Sequence, residues 1–231
     1  MDNLRDYYNP LELFTSIVSR RPKVKLFKLS IRNSAKKVIM KTLWLTGAFS
    51  DNERAILCAG RHDGIALPSV SKETTHIPFS ALVLAPKDDL SNFQKEADIG
   101  CYLVAERVLK HLPYRNLAPD TQPKILSVFS MVANSAFGAA ASDSYWRDNH
   151  APLASEIHEK MTHYYQLSVQ HCFHGPAWNG FALCCFAKED DLRNRFFNTA
   201  EGKRTIAMDV ANFADTTKSP RPVITKFLRP T

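Results

Sequence analysis

An internal repeat is the feature that most constrains the fold of this 231-residue chain. Residues 81–93 and 182–196 both begin with Ala-Leu and further apolar residues, and then have a lysine, acidic residues and a leucine. In both copies the pattern predicts a strand followed by a helix whose acidic first turn suits the helix dipole. Repeated patterns of this kind predict that one structural unit occurs twice.

The order of the other apolar segments agrees with a β-α-β-β-α-β unit in each half, which is the ferredoxin-like plan. A loop is expected at 61–76, because this segment holds Gly64, Pro68 and several polar residues. Strands are predicted at 38–46, 79–85, 99–110, 124–133, 165–173, 180–187 and 204–213, and helices at 51–60, 88–97, 142–163 and 188–198.

We therefore predict an α+β protein in which two tandem ferredoxin-like repeats form a pseudo-symmetric α+β barrel. The predicted divisions are a basic N-terminal arm at 1–37, a first repeat at 38–122 and a second repeat at 123–231. Sheets that face each other in this way would bury their inner faces and leave a cavity between them. A chain with fused repeats is also compatible with a homodimer.

The charge distribution argues against a nucleic-acid partner. Residues 1–43 hold ten Lys or Arg and three acids, whereas the other 188 residues hold twenty of each. The positive charge is thus confined to one end and does not form a basic face. No apolar run approaches the roughly 18 residues of a membrane helix, and no secretory signal is recognisable. A soluble, cytoplasmic protein is expected.

The nine residues at 145–153, YWRDNHAPL, are the most distinctive motif. Trp146 and His150 are four residues apart and share one face of a helix. Pro152 disfavours helical geometry at Ala151, so His150 is expected near the end of the helix. A histidine at this place faces whatever space the helix covers.

This motif resembles the signature of the EthD family, which is named for ethyl tert-butyl ether degradation and belongs to the dimeric α+β barrel superfamily. The resemblance covers about 123–231, while the first half has no W-x-x-x-H equivalent and looks like a degenerate copy. It implies a barrel with an internal pocket for small, mostly apolar ligands. Relatives in the superfamily include cofactor-free cyclases, lactone isomerases and monooxygenases acting on aromatic or polyketide-like molecules, and some bind haem.

His150 is the first catalytic candidate, because a histidine exchanges protons near neutral pH. Asp209, predicted on a strand beside small residues, is the second candidate and a possible partner for His150. Structural roles remain open for both: a capping histidine and an aspartate at a strand end. Six further residues are predicted to bind a ligand: Trp146, Tyr145, Asn149, Tyr165, His171 and Phe213.

The function predicted from these residues is binding of a small hydrophobic, aromatic or polyketide-like metabolite in a barrel cavity, with a cofactor-independent isomerase, cyclase or lyase step. A non-catalytic accessory or ligand-binding protein of an oxidative catabolic pathway is the first alternative, and a haem-binding barrel is the second. No metal site is predicted, because His171 and His174 would face opposite sides of a strand. No phosphate-binding loop, nucleophile elbow or dinucleotide fingerprint occurs.

Overall fold

The computed structural model describes residues 42–70, 77–111 and 123–228. The arm predicted at 1–37 therefore lies outside the described residues. Within them the chain forms eight strands, which are β1 (Leu43–Phe49), β2 (Ile65–Pro68), β3 (Ala81–Ala85), β4 (Gly100–His111), β5 (Ile125–Met131), β6 (Met161–His174), β7 (Gly180–Phe186) and β8 (Val223–Thr225).

Six α-helices connect these strands. They are α1 (Asn52–Arg61), α2 (Leu90–Glu96), α3 (Gly138–Tyr145), α4 (Ala151–Ile157), α5 (Glu189–Asn194) and α6 (Ala200–Val210). A short 3₁₀ turn at Lys87–Asp89 precedes α2, and a π turn at Trp146–His150 joins α3 to α4.

Each half of the chain thus has the order β-α-β-β-α-β, and the predicted fold class is confirmed. All strands join one antiparallel sheet in the order β2-β3-β1-β4-β6-β7-β5-β8. The two repeats meet where β4 pairs with β6. At the opposite edge, bridges from Ala66 to Leu228 and from Ser69 to Thr225 bring β2 next to the C-terminal segment. The sheet is therefore a nearly closed barrel.

Large side chains from both repeats fill the space between the facing halves of the sheet. The ring of Tyr102 stacks on Trp178, with centroids 5.8 Å apart, and meets Phe181 edge-on. These rings belong to a buried cluster on the sheet face that points away from the helices. Two other clusters lie between the outer face of the sheet and the helices, one in each repeat. The molecule therefore has an inner core and two outer layers.

Two element predictions are wrong. Residues 204–213 were expected to be the closing strand of the second repeat, but most of them belong to α6, and β8 closes the repeat instead. Thr199 begins α6, because its side chain accepts a hydrogen bond from the backbone N–H of Gly202. The segment expected to be a loop at 61–76 includes β2.

Pro152 does not end the helix as predicted. Ala151 keeps helical angles, and the helix continues to Ile157. Proline has no N–H to donate and its ring crowds the carbonyl one turn earlier. The π turn at Trp146–His150 accommodates this, because the N–H of Ala151 bonds to the carbonyl of Trp146 five residues back. A single π turn inserted into an α-helix often marks a functional site.

Candidate functional site

A cavity of about 190 Å³ lies in the outer layer of the second repeat, between the sheet and the helices. A cavity was predicted between the facing sheets, whereas this one lies on their outer face. Strands β5, β6 and β7 form its floor, and the π turn, α4 and α6 form its walls. Its lining comprises Phe129, Ser130, Met131, Trp146, His150, Ala154, His158, Tyr164, Ala182, Cys184, Phe196, Phe197, Ile206, Val210, Phe213, Ala214, Ser219 and Pro220.

His150 is held at this cavity by a carboxylate. Its Nδ1–H donates to Asp209 Oδ2 over 2.6 Å, and the hydroxyl of Tyr145 donates to Asp209 Oδ1 over 2.9 Å. Asn212 in turn donates to the Tyr145 oxygen over 3.1 Å. The π turn supplies His150 and the last turn of α6 supplies Asp209. The possible partnership of these two residues is therefore present in the structure.

The protonation of His150 follows from its surroundings. Burial lowers the pKa of the imidazole below its usual 6.5, although the Asp209 carboxylate opposes that shift. At neutral pH the ring is therefore uncharged, and its bond to Asp209 fixes the proton on Nδ1. Nε2 then carries a lone pair, and it has no hydrogen-bond partner among the described residues. This nitrogen can accept a proton.

A second buried histidine lines the cavity. The Nδ1–H of His158 donates to the carbonyl of Phe196 over 2.7 Å, and the Phe196 ring meets the imidazole edge-on at 4.3 Å. Burial lowers the pKa of His158 to about 4. Both cavity histidines are therefore neutral near pH 7, with the proton of each on the nitrogen that is already bonded.

Tyr164 adds a hydroxyl to the cavity. Its oxygen accepts hydrogen bonds from Trp146 Nε1 (3.2 Å) and Gln166 Nε2 (3.3 Å), while burial raises the pKa of the phenol. With both lone pairs used, the hydroxyl can act further only as a donor. Ser130 also lines the cavity. Its Oγ, however, is buried on the face of β5 that Leu126 and Val128 share, which points away from the helices.

The Trp146 ring lies over the floor because Gly180 leaves room for it. A Cβ at Gly180 would come within 2.5 Å of the indole. The indole also lies nearly parallel to the ring of Phe213, with centroids 6.3 Å apart. Trp146 therefore packs as a core residue of the outer layer and at the same time forms a wall of the cavity.

The structure brings together five of the eight predicted site residues. Trp146, His150 and Phe213 line the cavity, and Tyr145 and Asp209 stand behind His150. Asp209 lies on a helix, although a strand was predicted, and Tyr145 reaches the cavity only through Asp209.

The other three lie elsewhere. Asn149 is exposed on the π turn. Tyr165 belongs to the inner core. His171 is exposed and lies opposite Leu103, because irregular pairing of β6 with β4 between Val169 and His171 breaks the alternation on which the shared face was predicted.

Sequence reasoning missed His158 and Tyr164 as site residues. A signal for His158 was present, because His150, Ala154 and His158 are spaced four apart and share a helix face. This spacing was not used, because Pro152 was expected to interrupt the mainly helical segment 142–163. Tyr164 is adjacent to the predicted Tyr165 but points to the opposite side of β6, where the cavity lies.

Comparison with known families agrees with the motif. The described fold is a tandem ferredoxin-like barrel, and residues 136–217 match the family model of the EthD domain, which confirms the resemblance seen in the sequence. A crystal structure of an anthrone oxidase-like protein is similar, with a TM-score of 0.48 and 9% identity over 80% of this chain and 90% of that chain. No curated protein matches the sequence. In the described ranges, no helix has the length and apolar character needed to cross a membrane.

A haem is too large for this cavity. Pockets for drug-sized ligands typically measure roughly 300–1,000 Å³, and a haem is larger than such ligands. The cavity of about 190 Å³ is smaller than this range.

Proposed function

We propose that the protein catalyses a cofactor-independent proton transfer on a small, mostly apolar carbonyl compound, of the kind needed for isomerisation or enolisation. The observation that carries this proposal is the hydrogen bond from His150 Nδ1 to Asp209 at the wall of an apolar cavity. A neutral imidazole so oriented is a general base, and the carboxylate behind it stabilises the imidazolium that forms.

The proposed step uses the groups that line the cavity. His150 Nε2 removes a proton from the carbon next to the carbonyl, and the bonding electrons move to the carbonyl oxygen. The Tyr164 hydroxyl donates a hydrogen bond to that oxygen. The proton on Nε2 then returns to another carbon or to the oxygen, which leaves His150 neutral again. No oxidant or external cofactor enters this sequence.

The cavity restricts the ligand to a small molecule. An engineered cavity of roughly 150 Å³ lined by apolar side chains binds benzene. At about 190 Å³ the present cavity has space for one ring with a few substituents. Aromatic side chains such as Trp146 and Phe213 favour a flat, unsaturated ligand.

Deuterium exchange on a simple ketone tests the proposal and does not require the physiological substrate. We expect the protein to accelerate exchange of the acidic C–H protons of β-tetralone in D₂O, followed by proton NMR. His150→Gln should lower this acceleration by about 100- to 10,000-fold, which is the usual contribution of a general base. His171→Gln, at an exposed site away from the cavity, is the matched control and should keep full activity.

The same experiment separates catalysis from simple binding. Ligand-induced shifts of cavity resonances without any exchange, over a panel of small aromatic ketones, would identify a binding protein and overturn the catalytic proposal. The presence of His158 as a second titratable group in the cavity supports catalysis over that alternative. Exchange that survives in His150→Gln would remove His150 from the mechanism.

A further inference from the structure

The outer layer of the first repeat holds a cluster of three side chains that can bind metal. Cys58 and His62 are four residues apart, so they project from one side of α1. Glu96, the last residue of α2, meets them there. One ligand atom from each side chain lies within 4.8 Å of the other two. The His62 side chain is 8% exposed, and Cys58 is fully buried.

The spacing of these atoms suits a tetrahedral zinc ion. Glu96 Oε1 lies 3.2 Å from His62 Nε2. Two ligand atoms that each bind zinc at 2.0–2.1 Å with tetrahedral angles are separated by about 3.3–3.4 Å. Small side-chain shifts would therefore be enough to place an ion between them. A thiolate, an imidazole and a carboxylate are all common zinc ligands.

The surroundings also resemble those of a metal site. Metal-binding histidines usually have their other ring nitrogen next to a carboxylate or carbonyl, and metal-binding carboxylates are themselves hydrogen-bonded. Here His62 Nδ1 lies 3.9 Å from Asp89 Oδ2. Arg61 donates to both oxygens of Glu96, from Nη2 to Oε2 and, over 3.4 Å, from Nε to Oε1. The ring of Phe93 meets the His62 ring edge-on at 5.4 Å, which restricts its orientation.

We propose that Cys58 Sγ, His62 Nε2 and Glu96 Oε1 form a zinc-binding site, with Asp89 and Arg61 orienting the ligands. Three protein ligands leave one coordination position for water or for a small anionic or neutral ligand. The site is separate from the cavity of the second repeat and does not depend on the function proposed for it. No metal site was predicted from the sequence, where only the His171–His174 stretch was considered. Spacing along the chain does not reveal this cluster, because Glu96 comes from a different helix, 34 residues after His62.

Cobalt titration of the reduced full-length protein tests this site. We expect one Co²⁺ per chain, with a thiolate-to-cobalt absorption band in the near ultraviolet that Zn²⁺ abolishes by displacing the cobalt. Cys58→Ser should remove the band. Cys172→Ser, which changes an exposed cysteine away from the cluster, is the matched control and should leave both band and affinity unchanged.

Two further variants keep the test decisive if Cys58→Ser folds poorly, as judged by circular dichroism. Asp89→Asn, at a residue that orients His62, should weaken binding by about 10- to 100-fold. Glu96→Gln should weaken it by about 100-fold or more. Absence of saturable one-to-one binding by the unaltered chain would overturn the proposal. Equal affinity of the unaltered chain and both variants would do the same.

Discussion

The outer layers of the two repeats have the same arrangement of strands and helices, but only the second contains the cavity described above. In the first repeat Phe49 on β1 lies opposite Ala81 on β3, and in the second Phe129 on β5 lies opposite Ala182 on β7. Phe49 and Ala81 are fully buried in a continuous apolar cluster. Phe129 and Ala182 instead line the cavity. An equivalent Phe–Ala pair therefore serves packing in one repeat and a pocket in the other.

The helices that cover the two pairs account for this difference. The buried residues of α1 are small, namely Ala55, Cys58 and Ala59. The covering helix of the second repeat instead presents the bulky Trp146 and His150 from its π turn. Small side chains let a helix pack closely on a sheet, whereas bulky ones at a π turn leave uneven space beside them. The outer layer of the second repeat, whose covering helix contains the π turn, is thus the one in which polar groups face a cavity.

Asp209→Asn should produce the largest of the predicted effects, a loss of deuterium-exchange activity. It changes the chemistry of the second repeat and leaves the first repeat unaltered. An asparagine amide in place of the carboxylate favours the proton on Nε2 of His150, where it blocks proton acceptance. We expect the deuterium-exchange rate to fall by about 1,000-fold with little change in melting temperature. NMR of the His150 ring nitrogens would show the change of tautomer.

Asp148→Asn is the matched control for that variant. Asp148 is exposed on the same π turn and pairs with Arg147. Its replacement should leave the exchange rate unchanged. An equal loss of rate in both variants would show that general damage to the helix, and not the Asp209–His150 bond, controls activity.

Acid should destabilise the second layer through His158. Its pKa is about 4 in the folded protein and 6.5 when unperturbed, so the unfolded chain binds more protons between these values. Stability from this source is complete above pH 6.5 and is lost as the pH falls toward 4, by about 3 kcal/mol in total. Urea unfolding at pH 7, 5.5 and 4 measures the loss.

His158→Gln should remove most of that pH dependence, because glutamine can still donate to the Phe196 carbonyl without titrating. His171→Gln, at an exposed histidine, should retain it. An unchanged acid response in His158→Gln would mean that other groups determine the loss of stability.

The matched substitutions Ala81→Leu and Ala182→Leu compare the two layers directly. At Ala81 the added atoms have no free space, so we expect a loss of about 1–3 kcal/mol in the free energy of unfolding. At Ala182 the larger side chain enters the cavity, and the unfolding free energy should stay within about 1 kcal/mol of that of the unaltered protein. Chemical denaturation measures both. Equal destabilisation would contradict the view that only the second layer has spare volume.

The sequence predicted the fold better than the location of the pocket. Apolar patterning and the repeat were sufficient for the ferredoxin-like order, including β4, whose residues YLVAERVLKH also suit a helix. The same reliance on symmetry misassigned 204–213, because this segment was matched to β4 although Thr199 offered a helix cap. There the repeat predicted a strand and the capping residue Thr199 indicated a helix, and the segment forms a helix.

Site residues were predicted correctly where neighbouring positions in the sequence determine which side chains meet. The prediction failed where tertiary packing determines it. The spacing of Trp146 and His150 was enough to predict that they share one face of a helix. By contrast, Tyr165 and His171 were assigned by strict alternation along β6, which its irregular pairing with β4 interrupts. Whether space lies inside the barrel or outside it depends on the volumes of side chains from many strands, such as Tyr102 and Trp178, and no short sequence pattern encodes that sum.

Tyr145→Phe should give the smallest of the four predicted effects. It tests how far the chemistry of the second layer extends from His150. The variant loses one hydrogen bond to Asp209 but keeps the ring stacked near Phe213, at 6.1 Å between centroids. One such bond contributes about 0.5–1.5 kcal/mol, so the exchange rate should fall about two- to tenfold. A loss of rate as large as that of Asp209→Asn would contradict this expectation. It would mean that Asp209 alone is insufficient to orient His150 and that the Tyr145 hydroxyl is required for proton transfer.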